Sequence, residues 1–171
     1  MTLTRLQTGI GTLSCEAVCS EEVGDLRLGC AYELAGGRSS TVAREQGRRF
    51  APAGSRRPVI VSGRDAYERL TVDLRQCRTL RRLAVYAFSA SGARLNWGGT
   101  LVLTTFGGAK IEVPLDRLDA GDVAVLMSSY TVAGQFVLRA ELETVSGSIR
   151  EACVAYGYDR ITWLDERTPI D

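Results

Sequence analysis

The strongest limit on what this chain can fold into is a short-range alternation of apolar and polar side chains, broken every few residues by glycine, proline or aspartate. In GDLRLGCAYELAGG, residues 24–37, Leu26, Leu28, Cys30, Tyr32 and Leu34 share one parity, while Asp25, Arg27 and Glu33 share the other. A period of two marks a half-buried strand, with the second set turned to solvent. Residues 12–20 repeat the pattern with Leu13, Cys15, Ala17 and Cys19 on the apolar side. Further β-rich runs occupy residues 38–46, 59–62, 68–74, 81–90, 100–106, 110–115, 123–132 and 135–145, and a last one is expected at 158–164. Residues 47–58 form the clearest loop. Only residues 148–156 break the rhythm: Ile149, Ala152, Cys153 and Tyr156 recur at helical spacing after Ser148, and Gly157 can close the helix. The expectation is an all-β, two-sheet β-sandwich of about ten strands with one short C-terminal helix, one domain over residues 1–171.

Chemistry is narrowed by what the chain contains. It has no histidine, which removes the usual Ser or Cys triad and the commonest general base. No GxxxxGK[ST] motif occurs, and no catalytic residue is assigned. Asp116, Asp119 and Asp122 crowd one turn but read as a solvated one. The five cysteines form no CxxC pair, and Cys15 and Cys19, on one strand, stand about 13 Å apart, too far for a disulfide. They read as small core residues. Trp97, beside Asn96, reads as a lid over the core edge.

A net charge of +1 gives no global field for nucleic acid. Without a signal peptide or a transmembrane stretch the expected location is cytoplasmic, with peripheral membrane contact left open. Charge is concentrated locally instead, where Arg48, Arg49, Arg56 and Arg57 surround Phe50. Such a loop suits a phosphate, an acidic partner or an anionic headgroup; the plainer alternative is a solvated loop.

Four segments in order resemble the TerD-like tellurium-resistance and stress-response family: DLRLGCAYELAGG, RRLAVYAFSASGARLNW, IEVPLD and VAYGYDRITW. The resemblance spans almost the whole chain. It implies a β-sandwich that usually binds calcium, works in multiprotein, membrane-associated stress assemblies and has no implied catalysis. Carried over, Asp25, Asp65 and Glu68 match calcium-site acids. Arg27, Arg64 and Arg69 stand where the family has further ligands. Calcium takes six to eight oxygens, several of them carboxylate, so three acids among arginines support the fold better than the ion. Arg27 lies two residues from Asp25 on the same strand face and is expected to replace the ion among the three acids.

The function expected from these residues is a non-enzymatic interaction or scaffold domain with a degenerate calcium site, binding proteins or its own copies. Residues 68–74 and 38–46 are the strands expected at sheet edges, where chains pair. The alternative is a small-ligand sensor that takes a nucleotide or other phosphate on the arginine loop.

Overall fold

Alternation becomes pairing in twelve strands, seen in a computed structural model that describes residues 1–3, 11–133 and 135–170. In chain order they are β1 (Thr2–Leu3), β2 (Thr12–Val18), β3 (Leu26–Leu34), β4 (Ser39–Ala43), β5 (Phe50–Ala51) and β6 (Ile60–Arg64). Then come β7 (Glu68–Asp73), β8 (Leu80–Ser89), β9 (Thr100–Thr105), β10 (Lys110–Pro114), β11 (Val123–Val132) and β12 (Gln135–Val145). All pair antiparallel in two six-stranded sheets, ordered β1-β12-β11-β8-β3-β4 and β10-β9-β2-β7-β6-β5. Among the described residues the fold is thus the all-β, two-sheet sandwich with one short C-terminal helix.

The apolar parity of each strand meets that of the opposite sheet. Leu13, Cys15 and Ala17 of β2, Leu70 and Val72 of β7, and Leu28, Cys30 and Tyr32 of β3 fill one continuous core. Trp97 closes over its edge, buried as a lid. All five cysteines are free thiols, and burial pushes Cys15 up to about 12.

The second parity of β3 is not a solvent face. Helix α1 (Ile149–Ala155) and the chain after it lie on that side of the first sheet. Ser148 accepts from the Glu151 amide while the Glu151 carboxylate accepts from the Ser148 amide, a capping box that fixes where the helix starts. Ile149, Ala152 and Cys153 then present one stripe to Ala31, Ala84, Tyr86, Phe88, Val123 and Val125. Gly29 is required here, because the Tyr86 ring crosses it so closely that a Cβ would lie 2.5 Å from the ring.

Three expectations change. Residues 158–164 form turns, not a strand: Tyr158 and Ile161 are drawn into the second core by their apolar side chains, and within this segment only Trp163 makes a bridge, to Pro169. Residues 68–74 lie inside their sheet, since β7 pairs with both β2 and β6. The run 38–46 is a true edge but stops at Ala43, where Arg44–Gln46 tightens into a 3-10 turn. Among the described residues no helix is long and apolar enough to cross a membrane.

Candidate functional site

At one end of the sandwich the antiparallel topology brings the close of β2, the start of β3 and the β6–β7 turn together. A cleft of about 330 Å³ opens between them, lined by Cys19, Glu21, Leu26, Arg27, Tyr67 and Glu68 among others. Arg27 and Glu68 are therefore brought together, whereas Asp25 and Asp65 do not line the cleft.

Glu68 is the centre of this end. It opens β7 with its side chain inward, only 4% exposed, and reaches across to the other sheet. Oε2 accepts from the Leu28 amide of β3 at 3.5 Å, just where β4 no longer pairs with that strand. Oε1 faces Arg44 Nη2 at 3.5 Å and Arg64 Nη1 at 3.6 Å. Buried charge of this kind persists when it is both paired and hydrogen-bonded, and Glu68 has both. It links the two sheets.

The other acids are spent separately. Asp25 Oδ1 accepts from the Ser89 hydroxyl at 2.6 Å and Oδ2 from the Ser91 amide at 2.7 Å. That hydroxyl is the main cause of a carboxyl held below its ordinary value. Asp65 pairs with Arg69, which also reaches Glu16 at 3.4 Å. Arg27 does not sit among the three acids as expected: its Nε donates to Glu45 at 3.1 Å, and its Nη1 donates to the carbonyls of Leu26 and Asp25 at 2.9 and 3.1 Å. Strand parity is the reason: Leu26 and Leu28 face the inter-sheet core, so Arg27 between them is turned to the other side of β3, where Glu45 of the Arg44–Gln46 turn meets it. Arg44 and Arg64 hold Glu68 instead. Nothing in the spacing of the sequence singles out Arg44, because its partner lies on another sheet.

These residues do not fit calcium. The three carboxylates fail to converge, each is already engaged by guanidinium, hydroxyl or amide donors, and among the described residues no three His, Cys, Asp or Glu side chains group around a common point. Cys19, half-buried at the cleft wall, donates to the Gly98 carbonyl at 3.2 Å, and burial raises its pKa, so it is not an activated thiolate.

The four loop arginines divide. Arg48 donates to the Pro169 carbonyl and ties the loop to the C-terminal segment. Arg49 lines a hollow of about 160 Å³ with Phe50, which is 48% exposed. Arg57 lines a second, wider hollow with Asp73, Arg75 and Gln76, and Arg56 lies exposed on the same loop. Among the described residues the guanidiniums of Arg49, Arg56 and Arg57 make no hydrogen bond or ion pair. Asp116 and Asp119 are exposed, in keeping with a solvated turn, and the Asp119 carbonyl accepts from Thr144 at 2.9 Å.

The sequence matches no family model and no curated protein.

Proposed function

We propose that this protein is a non-enzymatic interaction domain of the TerD-like type, in which arginines take up two carboxylates, Asp65 and Glu68, of a degenerate calcium site and the exposed arginine loop meets an acidic protein surface. The observation that carries this reading is the contrast between spent and unspent guanidiniums. Arg27, Arg44, Arg64 and Arg69 are consumed within the fold, whereas Arg49, Arg56 and Arg57 face solvent, Arg49 beside a half-exposed Phe50. Arginine and aromatic side chains together are the residue types that dominate protein interfaces. The order and content of the four resembling segments favour the stress-assembly role over other interaction roles.

The test is sedimentation velocity of the protein, alone and in a cell extract, against Arg49→Glu/Arg56→Glu/Arg57→Glu. The expected result is a salt-sensitive assembly, of its own copies or with an acidic protein, that the triple variant loses. Identical sedimentation of the two proteins in both settings refutes the proposal.

A further inference from the structure

At the opposite end of β3, the start of β8 carries an irregularity. Arg82 lies opposite Glu33, but Leu34 lies opposite Leu80, so Arg81 is an extra residue in β8. A bulge of this kind re-aims side chains and recurs beside binding sites. Its effect here is that two consecutive residues, which a regular strand would send to opposite faces, both reach one carboxylate. Arg81 Nη1 donates to Glu33 Oε1 at 2.8 Å and Arg82 Nε to Oε2 at 2.7 Å. Glu33 is 3% exposed, and the two guanidiniums fill both of its oxygens.

The two arginines then differ. Arg82 is locked: it lies 4.4 Å over the Tyr158 ring and donates to the carbonyls of Tyr156 and Gly157. Arg81 is 64% exposed and makes one bond, leaving the rest of its fork free. It opens onto a cleft of about 460 Å³, a size suited to a small metabolite. The same cleft is lined by Arg160, which makes no hydrogen bond or ion pair among the described residues. Tyr130, in register with Arg82 and Glu33 on the neighbouring strand, supplies a half-exposed ring to the wall. Three guanidiniums face two carboxylates there, Glu33 and Asp159, and Glu33 is already neutralised by its clamp.

We propose that this cleft binds a small organic anion, its phosphate or carboxylate held between Arg81 and Arg160 and its planar part laid against Tyr130. The clamp on Glu33 fixes Arg81 before the ligand arrives, which lowers the ordering cost of binding. A planar fork matches either oxyanion with two parallel hydrogen bonds. The site is separate from the arginine loop and does not depend on the role proposed for it.

Calorimetry and thermal shift with sodium phosphate, sodium acetate, AMP and adenosine provide the test. AMP is expected to bind with a Kd of about 1 mM or tighter. Adenosine is expected to bind much more weakly. Phosphate or acetate, whichever competes with AMP, identifies the oxyanion, and both competing shows a site for either. Arg160→Ala is expected to weaken AMP by about 10-fold or more, with the ligand-free melting temperature unchanged because Arg160 supports nothing in the fold. Arg81→Ala should weaken it similarly, and Arg56→Ala/Arg57→Ala should leave it intact. Amide shifts on titration should map to residues 81–82, 130–132 and 159–160. Failure of all three anions to bind, equal binding of adenosine, or full AMP affinity in Arg160→Ala overturns the proposal.

Discussion

Replacing Glu68 by alanine tests whether one carboxylate joins the two sheets. Three contacts are lost, to Arg44 Nη2, Arg64 Nη1 and the Leu28 amide, all at 3.5–3.6 Å and so at the weak end of charge-assisted bonds. The two guanidinium side chains are 28% and 44% exposed and regain water, so each loss costs about 0.5 kcal/mol. The Leu28 amide sits in a buried residue and loses its acceptor, at about 1–3 kcal/mol. Together the change is about 2–4 kcal/mol, a fall in melting temperature of roughly 5–15 °C. Glu68→Gln, which keeps an acceptor oxygen, should cost about half as much. Arg27→Ala removes a partly exposed pair with Glu45 and two hydrogen bonds to the carbonyls of Leu26 and Asp25, at an edge where those groups regain water, and should cost about 1 kcal/mol. Urea denaturation of the three variants measures the order, and amide exchange at Leu28 reports the opened hydrogen bond. A Glu68→Ala change below about 0.5 kcal/mol, or an Arg27→Ala change larger than it, refutes the assignment and returns Arg27 to the centre of the site.

Two further outcomes follow from the helix side of the first sheet. Burial tends to raise the pKa of Glu33, but Arg82 and then Arg81 outweigh it and hold the carboxyl below its ordinary 4.5. A depressed folded pKa gives stability that is whole above the ordinary value and drains away as pH falls through the folded one. Glu33→Gln should therefore cost about 3 kcal/mol near neutral pH and progressively less in acid, measured by urea denaturation across pH; an equal cost at every pH contradicts the clamp. Gly29→Ala should destabilise by about 1–3 kcal/mol, because its Cβ would press on the Tyr86 ring at 2.5 Å, and unchanged thermal unfolding would contradict that close approach.

Much of the fold is legible in the sequence because alternation reports directly on a strand with one buried face. Leu13, Cys15 and Ala17, or Leu70 and Val72, face the core as their parity requires. The helix is legible too, since Ser148 and Glu151 stand at capping-box spacing ahead of an apolar stripe. What alternation leaves out is whatever covers the other face. Glu33 sits on the polar parity of β3 and reads as exposed, yet it is buried beneath Arg81 and Arg82, the latter pinned by Tyr156, Gly157 and Tyr158 more than a hundred residues later. The Arg81 bulge is equally silent, because one inserted residue looks like any other pair of arginines. At the candidate cation site the sequence supplies the acids and the arginines but not their pairing. Glu68 with Arg44 is a contact between sheets, and local spacing carries no information about which side chains cross that gap.

The late position of α1 has a consequence for biosynthesis. Both sheets are complete in the nascent chain before Ile149 is made, so Tyr86, Phe88, Val123 and Val125 form an apolar floor with nothing yet above it. A chain that folds its sandwich ahead of the helix exposes this floor until residues 149–161 dock and close it. A stop codon placed between β12 and α1 would make that interval permanent, leaving a sandwich with its inner core intact and a sticky outer surface, a substrate for chaperones and proteases.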